Sequence, residues 1–242
     1  MLEGHNVSKR FGGLEALKSV DFYVDEKEIV GLIGPNGSGK TTLFNIISGV
    51  YRPDSGTIKF KGRDIVGSKP FYVRKIGISR TFQLTRPFLN MTALENVLIA
   101  SLYSREKSVS ISDARNEALS LLELVGLLEK KDSLARNLTL AERRLLEIAR
   151  ALAGEPSVVL LDEVVAGLNP VETLRAVDVI KSIHEKGITV FWVEHVMKVI
   201  MNVCHRILVL HHGKKIAEGT PKEVAAEDAV IKAYLGEAYV DA

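Results

Sequence analysis

Residues 34–42 read Gly34-Pro-Asn-Gly-Ser-Gly-Lys-Thr-Thr42, and this stretch decides the fold. It fills the pattern G-x-x-x-x-G-K-[ST] at every fixed position, with Gly34, Gly39, Lys40 and Thr41. The run Glu28-Ile-Val-Gly-Leu-Ile33 before it predicts a strand, and Leu43, Ile46 and Ile47 after it predict a helix over 41–48. Strand, glycine-rich loop and helix are the context in which this pattern cradles phosphate. Glycine lets the loop wrap closely around an anion, so the backbone N–H groups of Asn36, Gly37, Ser38, Gly39 and Thr42 can turn inward. The helix N-terminus adds its partial positive charge. Lys40 is placed to reach the β- and γ-phosphates of ATP, and the Thr41 hydroxyl to hold Mg²⁺. A chance glycine-rich turn would lack the flanking strand and helix.

Outward from this loop the pattern changes twice. The first part reads as β, with apolar runs at 17–24, 29–33 and 57–60 and turns at Gly12-Gly13, Pro53-Asp-Ser-Gly56 and Lys61-Gly-Arg-Asp64. From Thr92 to Gly154 apolar residues recur at helical spacing, as in Ala118, Leu119, Leu121, Leu122 and Val125. Thr92 and Glu95 have the spacing of a capping box, and 104–112 reads as a polar loop. After Pro156 the chain alternates: strand 157–161, helix 170–185, strand 188–193, helix 195–203, strand 206–210. Such alternation predicts a parallel sheet with crossover helices. The expected organisation is an α/β core of residues 1–83 and 154–242, interrupted by a helical insert at 84–153, with a helical tail after Thr220-Pro221. Lys27 occupies a turn that would suit glycine; a left-handed backbone there costs about 1 kcal/mol.

Composition narrows the class. The net charge of +2, from 32 basic and 30 acidic residues, gives no basis for nucleic-acid or anionic-membrane binding. Cys204 is the single cysteine, so no internal disulfide forms and a reducing compartment is expected. The opening Met1-Leu-Glu-Gly-His-Asn6 lacks the apolar centre of a leader, so none is expected. The longest apolar runs are strand-sized, well short of the ~20 residues a spanning helix needs.

Val158-Val-Leu-Leu-Asp-Glu163 is an apolar strand that ends in two carboxylates. In an open α/β sheet that end faces the ligand crevice. Asp162 then suits Mg²⁺, held through its water, and Glu163 suits the general base that polarises attacking water.

These strings together resemble the nucleotide-binding subunits of ABC transporters, and the resemblance runs the length of the chain. It implies an α/β fold: a P-loop NTPase core of the ABC ATPase kind, with an antiparallel β subdomain and an inserted helical subdomain. It implies that Phe11, in Lys9-Arg-Phe-Gly12, stacks on adenine, that Gln83 senses Mg²⁺ and the attacking water, and that His195 contacts the γ-phosphate. Ala166-Gly-Leu-Asn-Pro170 is similar to the loop that crosses the dimer interface. Finer strings, among them Gly77-Ile-Ser-Arg-Thr-Phe-Gln83, Asn90-Met-Thr-Ala-Leu-Glu-Asn96, Glu218-Gly-Thr-Pro221 and Ala233-Tyr-Leu-Gly-Glu237, resemble the ATPases of branched-chain amino acid importers, of the LivG type. Relatives that serve urea or short amides, and a lipopolysaccharide-export ATPase, share part of the pattern. The partners so implied are transmembrane permease subunits at the cytoplasmic face of the membrane, a second ABC ATPase and, indirectly, a solute-binding protein. A regulatory member that binds ATP and hydrolyses it poorly is the competing reading. A DNA-repair or translation ATPase is disfavoured, because this chain has neither two ATPase units nor a long coiled-coil insert.

One string departs from the family. The usual signature LSGGQ, whose serine and glycine amides grip the γ-phosphate of the opposite subunit, reads Leu138-Thr-Leu-Ala-Glu142 here. Thr139 keeps a hydroxyl for that role, while Leu140 and Ala141 replace glycines and Glu142 adds charge. Because each signature serves the other subunit, a heterodimer with a second ATPase is expected, a homodimer being the form open to the chain alone. Val164 stands where the family usually has proline.

Overall fold

The structure, a computed structural model, describes residues 1–82 and 87–235. Along the chain the elements begin β1 (Leu2–Phe11), β2 (Leu14–Val24), β3 (Ile29–Ile33), α1 (Lys40–Ile47), β4 (Ser55–Phe60) and β5 (Arg63–Asp64). They continue with α2 (Pro70–Lys75), β6 (Ile78–Arg80), α3 (Ala93–Tyr103), α4 (Ile111–Leu124), α5 (Leu140–Leu152), β7 (Val158–Asp162) and α6 (Pro170–Glu185). The last are β8 (Thr189–Val193), α7 (Met197–Val203), β9 (Arg206–His211), β10 (Lys214–Gly219), α8 (Pro221–Ala225) and α9 (Asp228–Leu235). The chain divides into two compact units, Met1–Pro70 with Phe191–Ala242, and Phe71–Val190.

The first unit holds an antiparallel sheet ordered β2-β1-β4-β5. A second layer runs β10-β9-β3, with β3 and β9 parallel and β10 antiparallel. Every residue of β3 is buried, which is why it reads as a continuous apolar run rather than an alternation. Phe191 packs against Phe22 and Phe44, with ring centroids 6.2 and 5.1 Å apart, and ties the strand ahead of His195 to helix α1. At the opposite end of β9, Arg206 forms ion pairs with Glu28 and Glu218 and covers the Tyr23 ring at 3.7 Å. Lys27, in the turn before β3, is left-handed with φ 55°, as the turn requires.

The second unit carries the parallel pair β6–β7 and helices α3 to α6. Helix α3 starts at the Thr92/Glu95 capping box, as the spacing predicts. The polar loop ends sooner than expected, because the Ser110 hydroxyl accepts the Asp113 N–H and caps α4. Arg74 donates to the carbonyls of Arg150, Ala151 and Ala153, the otherwise orphaned end of α5. Burial lowers the Arg74 pKa to about 10.

Candidate functional site

In the first unit the glycine-rich loop is drawn in around its own lysine. Lys40 is only 5% exposed, and its ammonium donates to the carbonyls of Gly34 at 2.7 Å and Pro35 at 3.0 Å. Ser38 is buried, and its carbonyl accepts the N–H of Gly213 at 3.0 Å, which braces the loop on the β9–β10 turn. Gly39 is the N-cap of α1, with φ 108° and ψ −1°, and has no side chain with which to bond the first-turn N–H groups. An ideal Cβ on Gly39 would lie 2.6 Å from the Ala16 carbonyl oxygen, so the loop can run this close only with glycine. Asn36, Gly37 and Thr41 are exposed and Thr42 is half-buried. A cation held on carbonyls beside a helix N-terminus suits a polyphosphate, and the exposed Thr41 hydroxyl is a hard oxygen donor of the kind Mg²⁺ prefers.

Phe11 ends β1 and is 42% exposed, so it is no core residue. Tyr51 meets it edge-on at 5.2 Å, and Lys9 lies 5.6 Å from its ring centroid. Tyr51, just past α1, carries no sequence signal of its own; only the fold brings it to Phe11. His195, two residues past the end of β8, is exposed, and its N–H donates to the buried Glu194 carboxylate at 3.0 Å.

In the second unit Asp162 ends β7 with no exposure, and Arg80, at the end of neighbouring β6, pairs with it at 2.7 Å. Its N–H donates to the Thr81 hydroxyl at 3.0 Å. The next residue, Glu163, is half-buried and left-handed with φ 51°. That conformation costs a non-glycine residue of order 1–3 kcal/mol and is concentrated at functional sites. Val164 is buried beside it. Gln83 lies outside the described residues.

The segment Leu138–Glu142 opens helix α5. Thr139 is its cap: the hydroxyl accepts the Glu142 N–H, and the Glu142 carboxylate accepts the Thr139 N–H at 2.9 Å. Glu142 is therefore the third residue of a capping box, and it also pairs with Lys130. Burial pushes the Glu142 pKa up, but the hydrogen bonds from Lys130 and Thr139 outweigh it and hold the carboxyl below its ordinary value. The charge that the sequence adds here is thus answered within the unit. Leu140 and Ala141, the first residues of α5, keep N–H groups with no acceptor in the helix. The Leu140 side chain is half exposed, and a Cβ added at Gly167 would stand 3.7 Å from it. Asn169 caps α6 through the Val171 and Glu172 N–H groups, with Pro170 at the first helical position.

The family model for the ABC transporter matches residues 17–166, more than half of the chain. The chain belongs to the ABC transporter ATP-binding family. A second model, the branched-chain amino acid ATP-binding cassette transporter, matches residues 214–240. The chain is 41% identical over 251 residues to the high-affinity branched-chain amino acid transport ATP-binding protein LivG of Salmonella typhimurium, covering 98% of each. Among solved structures it resembles the ADP conformation of an ATP-binding cassette of an ABC transporter, at 33% identity and TM-score 0.88, covering 98% of this chain and 99% of that one. It also resembles a dimeric cassette in a post-hydrolysis state bound to ADP and Pi, at 28% identity and TM-score 0.82, covering 91% and 99%.

As an ABC cassette the chain binds and hydrolyses ATP to drive transport. No helix among the described residues is long and apolar enough to cross a membrane. Besides Tyr51, the fold brings Arg80, buried on Asp162, and Lys130, paired to Glu142, to the site strings. The unusual arginine in Ser79-Arg-Thr81 was the available signal for the first; a lysine in a charged run gave none for the second.

Proposed function

We propose that this cassette powers the import of branched-chain amino acids, acting at the cytoplasmic face of the membrane with transmembrane permease subunits. The observation that carries the solute class is the branched-chain match of residues 214–240, in agreement with the 41% identity to LivG. In this reading Phe11 stacks on adenine, and the amides of Asn36, Gly37, Ser38, Gly39 and Thr42 with the Lys40 ammonium take the phosphates. Mg²⁺, held by the Thr41 hydroxyl and by Asp162 through water, would supply charge neutralisation on the phosphates. Glu163 polarises the attacking water, with Gln83 and His195 positioning it and the γ-phosphate. Glu163 is already in the strained conformation expected of a residue whose placement matters more than its comfort.

Thr139 and the amides of Leu140 and Ala141 would face the nucleotide of a second ATPase. Side chains at the two glycine positions, one of them the half-exposed Leu140, favour a dissimilar partner over a second copy of this chain. ATP then closes the pair and hydrolysis reopens it, a ligand-driven population shift. A solute-binding protein on the far side selects the cargo. Uptake of labelled leucine tests the solute class. Cells lacking this chain should lose uptake, regain it with the wild-type chain, and fail to regain it with Glu163→Gln; unchanged uptake in the deletion would refute the assignment. Light scattering of Glu163→Gln tests whether the second ATPase is obligatory: a chain that binds ATP and stays monomeric alone supports it, and an ATP-dependent homodimer would overturn that requirement.

A further inference from the structure

We infer that Arg80 is a resident counter-cation for Asp162, a positioning residue that sets how tightly the site draws in its divalent metal. The inference rests on the reading of Asp162 as the metal-supporting carboxylate. It stands on the geometry of two neighbouring strand ends. Arg80 and Asp162 close the parallel strands β6 and β7, with Arg80 in register with Leu160. The Arg80 guanidinium lies 2.7 Å from the Asp162 carboxylate, and the two side chains are 7% and 0% exposed. The Thr81 N–H donates to the Leu160 carbonyl at 2.9 Å and the Asp162 N–H to the Thr81 hydroxyl, so both strand ends are fixed.

A carboxylate with no solvent contact requires a compensating cation, and removing one partner of such a pair leaves a buried charge exposed to the full desolvation penalty. Arginine cannot meet that penalty by losing its proton, so its charge is permanent. Two cations therefore draw on one carboxylate: Arg80 always, and the metal only when nucleotide brings it. Arg80 keeps the Asp162 carboxylate aimed before the metal arrives, and weakens the field the metal feels once it does. The guanidinium also lies 5.2 Å from the centroid of the half-exposed Phe82 ring. The same side chain thus joins the metal-supporting carboxylate to the residue preceding Gln83.

The test uses Mn²⁺ as the probe, its free concentration read by electron paramagnetic resonance, with the full chain saturated in ADP. Arg80→Gln should bind Mn²⁺ about tenfold more tightly than wild type, because an opposing charge within a few ångströms is gone. Its melting temperature without metal should fall, and Mn²⁺·ADP should restore most of the difference. Arg80→Lys, which keeps the charge, should bind Mn²⁺ within about twofold of wild type. Unchanged or weaker Mn²⁺ binding in Arg80→Gln, or an equal melting loss with and without metal, would reduce Arg80 to a structural partner and overturn the inference. If metal-free Arg80→Gln does not fold, it can be prepared with Mn²⁺·ADP bound and metal loss to EDTA timed; release slower than wild type supports the inference, and equal or faster release overturns it. Asp162→Asn separates the two readings: if it leaves Mn²⁺ affinity unchanged, the reading of Asp162 itself fails, whereas weakened binding there with no effect of Arg80→Gln sinks only the role of Arg80.

Discussion

Replacing Gly39 by alanine should damage both the fold and ATP binding, for reasons that can be separated. Gly39 has φ 108°, where an L-residue pays about 1–2 kcal/mol in backbone strain. Its new methyl would stand 2.6 Å from the Ala16 carbonyl oxygen and 2.8 Å from Leu17 Cδ2. A carbon–oxygen contact settles near 3.3 Å, so the loop must retreat by about 0.7 Å. Strand β2 cannot yield easily, because Leu17 is fully buried. Retreat by that distance spoils at least one N–H contact to a charged phosphate, worth about 1.5–3 kcal/mol, or roughly tenfold to a hundredfold in affinity. Gly37 is the control: its φ is 77°, but an added Cβ meets nothing within 4 Å. Gly37→Ala should cost only the strain, about 1 kcal/mol, and less than about tenfold in affinity. Urea unfolding gives the stability difference, and titration with a fluorescent ATP analogue gives the affinity. Gly39→Ala binding within about twofold of wild type, or Gly37→Ala proving equally damaging, would refute the steric reasoning.

Three further outcomes follow from side chains around the site. Thr139→Ala removes the cap of α5 and should lower unfolding stability by about 1 kcal/mol while leaving ATP binding by the isolated chain unchanged. The Glu142 carboxyl sits below its ordinary value of 4.5, so its stabilising contribution is complete above that pH and is lost as pH falls through the lowered value. The urea-midpoint gap between wild type and Glu142→Gln should therefore close on going from neutral pH to below that value; a gap independent of pH would contradict the Lys130–Glu142 pairing. Burial, with Glu28 nearby, pushes the Cys204 thiol up to about 12, so iodoacetamide at mildly alkaline pH should label it only after unfolding; rapid labelling of native protein would place the thiol elsewhere.

The sequence was most legible where one physical demand ruled a segment. Strand β3 and helix α6 occur where the apolar run at 29–33 and the alternation after Pro156 predict them. The Thr92 cap was readable because a capping box depends on local spacing alone. Strands β1 and β10 were not readable, since Glu3-Gly-His-Asn6 and Lys214-Lys215 belong to partly exposed strands whose pairing, not composition, holds them in place. Strand β6 is three residues long and has no periodicity to detect. For the site, the loop of Lys40 and the carboxylates of β7 were evident because their chemistry is contiguous in the chain. Arg80–Asp162, Phe11–Tyr51 and Lys130–Glu142 join residues distant in sequence, so only the folded chain brings them together.

The claim on which everything else depends is that Lys40 and its loop bind ATP. Isothermal titration of ATP into the wild-type chain and into Lys40→Met tests it directly. Wild type should bind one ATP per chain, and Lys40→Met, lacking the charge-assisted bonds to phosphate, should bind at least about a hundredfold more weakly. Binding of equal strength in both proteins, or none in the wild type, would contradict it.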